Sequence, residues 1–378
     1  MVTKKIKRVV VKVGSAVLMA KDTKSIDDTV IRGIAKQLSL LHNSGLEVIL
    51  VSSGAVVAGI HQLKIKLAPD DISGKQAAAS VGQSLLVGKY EKYFSKRGKT
   101  VAQILLTHAD LSNRNRYLNA KTTLMILLKS GVIPIINEND TVSVDELKFG
   151  DNDAMSAMVA DMVDAELLII LSDVKGLYSS NPTNNPEAKI IDVVDKIDGH
   201  IKNSAWKSSS AWGSGGMVTK IEAAERCMSS GIEMVIAEGK NTSVIKKILE
   251  GKKVGTTFKP SKDRAGAKKR WIAHTLKRRG KIYIDNGARE AVISKHRSLL
   301  PAGIVKVEGN FLRGDAISFI SAEDNREIGV GLVNYDSKDI ARIQGCHTSK
   351  IGECLGFRMG DEVIHRDNMV FFTGDDDA

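Results

Sequence analysis

The chain lacks most features that mark secreted, membrane or metal-binding proteins. Its 378 residues include three cysteines, Cys227, Cys346 and Cys354, which form neither a CxxC pair nor a metal-ligand spacing. An odd count argues against a disulfide framework, so we expect inert thiols. The longest apolar runs, such as 167–171, are far too short to cross a bilayer, and the N-terminus lacks a signal peptide's hydrophobic core. We therefore expect a cytoplasmic protein without a membrane segment.

Aromatic residues and familiar nucleotide-binding signatures are also scarce. Aromatic side chains make up 4% of the chain and offer few stacking platforms for nucleic acid. There is no GxxxxGK[ST] motif, and the glycine-rich, HRD and DFG signatures of protein kinases are missing. These absences exclude a Walker P-loop and a protein-kinase site.

Positive charge is concentrated in one segment. The net charge is +11, and residues 259–281 carry ten basic residues against one acid, which leaves +2 for the rest of the chain. Such a run is typical of a solvated linker, although it can also bind nucleic acid.

Apolar runs of strand length alternate with amphipathic stretches of helix length up to about residue 258, which predicts an α/β fold. The predicted strands are 9–13, 47–51, 101–106, 132–136, 167–171 and 233–237. The predicted helices are 27–43, 75–95, 114–130, 154–164, 216–230 and 242–249. Strands of nearly continuous Val, Ile and Leu predict a mostly parallel sheet sandwiched by helices.

From about residue 280 the alternation of strands and helices gives way to a series of short strands, which predicts a second domain. Short strands at 281–285, 303–307, 316–320 and 328–333 are separated by Gly and Asp turns. We predict an α/β domain over 1–258, a basic linker over 259–279 and a small, mainly β domain over 280–378. The Ser- and Gly-rich segment 203–216 is predicted to be a mobile loop or lid.

Two clusters of acids and amides flank the fourth predicted strand and the helix after it. Asn137-Glu138-Asn139-Asp140 follows the strand, and Gly150-Asp151-Asn152-Asp153 opens the helix. Acids and amides at the carboxyl end of a buried strand predict a ligand site. Turn and cap roles explain either cluster alone equally well.

Small residues and lysines at other strand and helix ends suit anionic ligands. Lys12 lies among valines that predict burial, where an unpaired ammonium is costly, so a functional role is favoured over a surface one. The turns at Gly14-Ser15 and Ser53-Gly54 can bind phosphate or carboxylate through backbone N–H groups, although Ser53 could equally be a helix cap.

A glycine-rich stretch, 213–216, leads into a helix with Lys220 in its first turns. A cation there is favourable if it shares an anion with the helix terminus. Ser172 and Asp173, directly after a strand, suit nucleotide contacts or ordinary turn chemistry.

Together these motifs resemble the amino acid kinase family, in which a parallel sheet binds ATP and an acidic substrate across the carboxyl ends of its strands. The resemblance covers essentially the whole chain, and residues 280–357 resemble a PUA domain. Ser15, Ser172 and Ser214 stand where threonine is common in the family, and each keeps a hydroxyl.

The resemblance implies transfer of the ATP γ-phosphoryl group to the side-chain carboxylate of L-glutamate, giving L-glutamyl 5-phosphate, the first step toward proline. A carboxylate with a pKa of about 4.3 is already ionised, so no general base is needed. We expect Lys12 and Lys220 to stabilise the transferred group and Asp153 to orient both lysines. Mg²⁺ is expected with the nucleotide, held mainly by phosphate oxygens and water rather than by protein ligands.

Further contacts follow by similarity to the family. Those expected for glutamate are Ser53, Asn137, Asp140 and Asn152. Those expected for ATP are Lys12, Gly14, Ser15, Ser172, Asp173, Ser214, Gly215, Gly216, Met217, Val218, Thr219 and Lys220. The resemblance also implies a homo-oligomer, either a dimer or a tetramer, and feedback inhibition by proline.

Two rival functions stay open at this point. Another member of the family could act on aspartate, N-acetylglutamate, carbamate or a nucleoside monophosphate. Alternatively, the chain could be an RNA-binding PUA protein with a kinase-like domain that has lost its activity, although Lys12, Asp153 and Lys220 count against that loss.

Overall fold

The structure is a computed structural model that describes residues 6–20, 25–68, 70–143, 152–182, 185, 187–204, 216–241, 243–260 and 277–372. The chain divides into two compact units, 1–263 and 264–378. This division falls within the predicted linker 259–279, of which 261–276 lie outside the described residues. Within the described ranges, no helix has both the length and the apolarity needed to span a membrane.

The first unit alternates strands and helices, as its sequence rhythm predicts. Its strands are β1 (Arg8–Val13), β2 (Glu47–Ser52), β3 (Val101–Leu106), β4 (Ile133–Glu138), β5 (Leu167–Ser172), β6 (Val193–Val194), β7 (Glu233–Glu238) and β8 (Thr256–Phe258). Its helices are α1 (Ser15–Leu18), α2 (Asp28–Asn43), α3 (Ala55–Leu63), α4 (Ile72–Ser95), α5 (His108–Ser112), α6 (Arg114–Lys129), α7 (Asn152–Met162), α8 (Gly199–Asn203), α9 (Met217–Ser229) and α10 (Val244–Leu249).

The described strands of this unit form one sheet with the order β3-β4-β2-β1-β5-β7-β8-β6. All neighbouring pairs are parallel except β7 with β8. The predicted sheet covered by helices on both faces is therefore confirmed. Because β1 is central, its residues are buried on both sides, and successive side chains enter opposite cores. Val10 joins the core that contains α7 and α9, whereas Val9 and Val11 join the core that contains α2 and α4.

Helices α3 and α4 cross with their backbones in contact. A Cβ atom on Gly59 would lie 1.7 Å from the carbonyl oxygen of Ala78, and one on Gly82 would lie 1.8 Å from that of Ala55. Backbone atoms cannot yield as a flexible side chain can, so any larger residue at either position forces the helices apart.

We therefore expect Gly82→Ala to lower the free energy of unfolding by about 3 kcal/mol, through overpacking at this crossing. Gly88 is a matched control on the same helix, because nothing lies within 4 Å of the position that its Cβ would occupy. Gly88→Ala should raise stability by up to about 1 kcal/mol, since alanine favours the helix. Urea unfolding of both variants checks this, and equal effects at the two positions would contradict the predicted contact.

The second unit contains a sheet and short helices. Its strands are β9 (Arg278–Ile284), β10 (Ile304–Gly309), β11 (Ala316–Ser321), β12 (Glu327–Val333) and β13 (Ile364–Phe371), in the order β10-β9-β11-β12-β13. Its helices are α11 (Asn286–Ile293), α12 (Ser337–Ile343) and α13 (Ile351–Leu355), with 3-10 turns at Pro301–Gly303 and Thr348–Lys350. The β-rich prediction is confirmed, but β13 and the helices were not predicted.

Candidate active site

Four neighbouring strands end at the same edge of the first sheet and bring predicted site residues together. β4 ends with Asn137 and Glu138, β2 is followed by Ser53, β1 ends beside Lys12, and β5 ends with Ser172. Since these strands are adjacent and parallel, their carboxyl ends form one continuous rim. A rim of this kind, at the carboxyl ends of parallel strands, is the usual place for a ligand in an α/β fold.

Asp153 is the centre of the charged part of this rim. Its carboxylate is fully buried on the first turn of α7 and is hydrogen-bonded to the ammonium groups of two lysines. Lys12 Nζ donates to Asp153 Oδ1, and Lys220 Nζ donates to Asp153 Oδ2 across 2.9 Å. The two lysines are only 4% and 7% exposed, so one buried carboxylate is shared by two buried cations.

The strand periodicity explains how Lys12 reaches this position. Lys12 lies two residues after Val10, so its side chain leaves β1 on the same face and points toward α7 and α9. Lys220 is on the first turn of α9, and Thr219 beside it donates its hydroxyl to Asp153 Oδ2 at 3.2 Å. Residues from two distant parts of the sequence, on β1 and α9, therefore converge on the Asp153 carboxylate.

An amide cluster lies beside this charged group. Asn152 Nδ2 donates to Ser53 Oγ at 2.7 Å and to Asn137 Oδ1 at 3.0 Å. Asn152 Oδ1 is buried and has no hydrogen-bond partner among the residues that the structure describes. A buried acceptor without a partner costs free energy, which a ligand bearing a hydrogen-bond donor would recover.

Asp140, the fourth residue predicted for the acidic substrate, lies on the turn directly after β4 and is half-buried. The first two residues of the 150–153 motif, Gly150 and Asp151, are outside the described residues.

Three helices at the rim begin without a side-chain cap. Glycines precede α1, α3 and α9, and no side chain caps these three N-termini. By contrast, side-chain oxygens of Asp27, Asp71, Thr107 and Asn113 cap α2, α4, α5 and α6. The alternative prediction that Ser53 caps a helix is therefore wrong, because Gly54 precedes α3 and Ser53 Oγ is bonded to Asn152. Uncapped N-termini at a ligand rim suit an anionic ligand.

Gly14 keeps space beside the Lys12 ammonium. Its φ angle is −74°, which any residue adopts, so backbone conformation does not require glycine here. A Cβ atom at this position would lie 3.8 Å from Lys12 Nζ. The missing side chain therefore leaves room for a ligand atom next to the cation.

The remaining positions predicted to contact ATP lie at the end of β5, at the start of α1 and at the start of α9, or fall outside the described residues. Ser172 Oγ donates to Asp173 Oδ1 at 3.1 Å at the end of β5, and Ser15 is half-buried at the start of α1. Met217 is buried in the core, whereas Val218 is exposed. Ser214 and Gly215 lie outside the described residues, as does most of the predicted lid 203–216.

Comparison with known proteins agrees with this geometry. Residues 7–238, more than half of the chain, match the amino acid kinase family. The chain belongs to the amino acid kinase family. Residues 280–355 match the PUA domain, in agreement with the predicted second domain.

Relatives of similar length share both parts. The glutamate 5-kinase of Geobacter sulfurreducens is 47% identical over 366 residues, covering 97% of this chain and 98% of that protein. The glutamate 5-kinase of Thermoanaerobacter sp. (strain X514) is 46% identical over 363 residues, covering 96% and 97%. That of Caldanaerobacter subterraneus subsp. tengcongensis is 46% identical with the same coverage.

The kinase domain also contains a group of rim-supporting residues that sequence reasoning missed. Three polar side chains of α4 bind the segment 138–143, which carries Asp140. Gln83 Nε2 donates to Glu138 O at 3.0 Å, Ser80 Oγ lies 3.0 Å from Thr141 Oγ1, and Gln76 Nε2 donates to Ser143 O at 3.3 Å. We call Gln76, Ser80 and Gln83 the α4 brace.

Tyr90 extends the same helical face toward β2. Its fully buried hydroxyl lies 3.0 Å from Ser52 Oγ, directly before Ser53. Burial raises the pKa of Tyr90, and the contact with Ser52 opposes this only in part, so the phenol stays protonated. Tyr90 therefore supports the end of β2 as the brace supports the loop after β4.

The spacing of these residues in the sequence indicates that they lie on one side of a helix. Positions 76, 80, 83 and 90 follow i, i+4, i+7 and i+14, which places them on one face of a helix. A polar stripe that continues into a buried face implies partners elsewhere in the fold, although the sequence does not say which ones.

Proposed function

We propose that this chain catalyses ATP-dependent phosphorylation of the side-chain carboxylate of L-glutamate, giving L-glutamyl 5-phosphate, the first step of proline biosynthesis. The observation that carries the proposal is the pair of buried lysines sharing Asp153 beside the Asn152 amide cluster. The identity of 46–47% to glutamate 5-kinases over nearly the whole chain supports the choice of substrate.

The charge arrangement suits phosphoryl transfer to a carboxylate. The acceptor is already an anion, so the protein must bring two anions together and stabilise the charge on the phosphoryl group between them. We assign that work to the ammonium groups of Lys12 and Lys220, whose direction is fixed by Asp153. Gly14 leaves room for a phosphate oxygen next to Lys12, and the uncapped N-terminus of α9 adds N–H donors beside Lys220.

The amide cluster suits the amino acid. Asn152 Oδ1 can accept a hydrogen bond from the substrate ammonium, and the hydroxyl of Ser53 can donate to a carboxylate. Asp140 on the adjacent turn would add the opposite charge for the ammonium group. We propose Ser53, Asn137, Asp140 and Asn152 as the residues that surround glutamate.

Mg²⁺ is expected to accompany ATP, where it would neutralise phosphate charge. Among the described residues, no group of three or more His, Cys, Asp or Glu side chains could hold a metal ion. We propose that the ion is held mainly by phosphate oxygens and water. We also propose a dimer or tetramer and inhibition by proline, as the family resemblance implies.

The substrate can be tested by trapping the acyl phosphate. Purified protein is incubated with ATP, Mg²⁺ and hydroxylamine, and glutamate, aspartate and N-acetylglutamate are offered in turn. We expect a hydroxamate with glutamate alone, since hydroxylamine captures the activated side-chain carboxyl group. A hydroxamate with another acid, or ATP-dependent turnover with none of them, would overturn the proposed substrate.

The α4 brace should influence binding of the acid more than turnover. Gln83→Leu removes the donor to Glu138 O, and the loss of one buried hydrogen bond predicts a KM for glutamate raised about tenfold. The KM for ATP should change much less, because the brace contacts the loop that carries Asp140. Steady-state kinetics with each substrate varied separately checks this.

Ser84→Ala is the matched control for the brace. Ser84 is exposed on the same helix, and its hydroxyl donates to Val81 O of that helix. Ser84→Ala should leave kcat and both KM values unchanged. If Gln83→Leu instead lowers kcat with no change in either KM, the brace does not position the acid site.

A further inference from the structure

Two of the three cysteines are in contact in the second unit. Cys346 Sγ and Cys354 Sγ are 3.9 Å apart, and both residues are half-buried. The sequence predicts inert thiols because the separation of these residues matches no disulfide or metal motif. Their proximity comes from the fold.

The backbone on both sides of the pair is held in place. Gly345 N donates to Pro301 O at 2.8 Å, and Cys346 N donates to Ile343 O at 3.0 Å, which fixes the turn after α12. Cys354 is on α13, which is anchored by the buried Ile351 and Leu355. The two thiols therefore stay close while lying at the edge of the core.

A disulfide bond is about 2.05 Å long, so the two sulfurs, now 3.9 Å apart, must approach each other by roughly 2 Å to form one. The hydrogen bond to Cys346 raises the pKa of the Cys354 thiol, which disfavours its thiolate, so Cys354 is the second sulfur to react.

We propose that Cys346 and Cys354 form a dithiol site that hydrogen peroxide closes to an intramolecular disulfide. The thiolate of Cys346 attacks one oxygen of hydrogen peroxide and the O–O bond breaks. A sulfenic acid forms, and the departing hydroxide takes up the proton that Cys346 had released and leaves as water. The second sulfur then attacks the sulfenic sulfur, the S–S bond forms, the S–O bond breaks, and a second water leaves. Two thiols lose two electrons in all, and one hydrogen peroxide becomes two waters. Exchange with a reduced dithiol reverses the reaction.

Mass spectrometry of the full-length protein tests the proposal. Reduced protein is treated with hydrogen peroxide, and remaining thiols are then blocked by alkylation. We expect the untreated and peroxide-treated chains to differ by two alkylation sites, and the intact mass before blocking to fall by ~2 Da. A non-reduced digest should contain the peptides of Cys346 and Cys354 joined, and dithiothreitol should separate them. Oxygen additions without this cross-link, or disulfides between chains, would overturn the proposal.

Single-cysteine variants identify the residues. Cys346→Ser and Cys354→Ser should each abolish the loss of ~2 Da and leave the other thiol to gain oxygen. Cys227 is fully buried in the first unit, so Cys227→Ser should retain the closure. Loss of closure in Cys227→Ser would contradict the assignment. If a serine variant does not fold, the cross-linked peptide from the unmodified chain decides the question by itself.

Discussion

Replacing Lys220 by methionine should lower kcat by roughly 10²-fold or more, with a smaller change in the KM for glutamate. Methionine keeps most of the length and volume of the side chain but removes the ammonium group, so the core around α9 remains filled. The lost charge acts on the phosphoryl group in transit, where electrostatic stabilisation matters most. Lys12→Met should show a loss of the same order, since both ammonium groups are bound to the same carboxylate.

The hydroxamate assay and a coupled assay for ADP both measure this loss. Arg226→Ala is the control, because Arg226 is an exposed cation on the last turn of the same helix. It should leave kcat unchanged. A Lys220→Met enzyme that turned over within a few-fold of the unmodified rate would remove Lys220 from the mechanism, whatever the structure places beside it.

Much of the first unit could be predicted because its signals are local. The strand Val101–Leu106 has the predicted limits, and the helix Arg114–Lys129 ends one residue before its predicted end. Long apolar runs and helical periodicity determine such elements without knowledge of the rest of the fold. Burial of Lys12 also followed from its valine neighbours, because a strand with apolar residues on both faces lies inside a sheet.

The elements that the sequence analysis missed lack those local signals. Helix α12 has seven residues and α13 has five, which is too short for a periodic pattern to stand out. Strand β13 contains His365, Arg366, Asp367 and Asn368 in its middle, so it shows neither an apolar run nor a strict alternation. Strand β13 forms by pairing with β12, and no local sequence pattern indicates that pairing.

The sequence predicted which residues form the candidate site, but their arrangement in space could not be worked out from local patterns. Local motifs identified Lys12, Asp153 and Lys220, but the expectation that Asp153 orients both lysines came from the family resemblance, because no local pattern states it. That arrangement depends on the sheet order, in which β4 lies between β3 and β2 and the chain then crosses over to β5. The partners of the α4 brace and the contact between Cys346 and Cys354 likewise depend on tertiary packing, which no local pattern in the sequence indicates.

Asp153→Asn should cost both activity and stability, and the two losses have separate causes. The amide removes the negative charge that lies between two buried ammonium groups, so the repulsion between them rises. Breaking a buried ion pair from one side costs about 3–5 kcal/mol, so we expect a large drop in the urea midpoint. Activity should fall by at least roughly 10²-fold, because neither lysine keeps its direction. Asp161 is a less buried aspartate on the same helix, so Asp161→Asn should change the urea midpoint and the activity far less.

A second substitution tests whether Asp153→Asn lowers stability through lost charge or through altered packing. Adding Lys12→Met to Asp153→Asn removes one of the two opposed cations, so the double variant should be more stable than Asp153→Asn alone. It should remain inactive, because restored stability does not restore a charge at the phosphoryl group. If the double variant is instead less stable than either single one, the damage lies in packing, and the electrostatic account of Asp153 is wrong. Stability recovered without activity would mean that the carboxylate balances buried charge as well as directing the lysines.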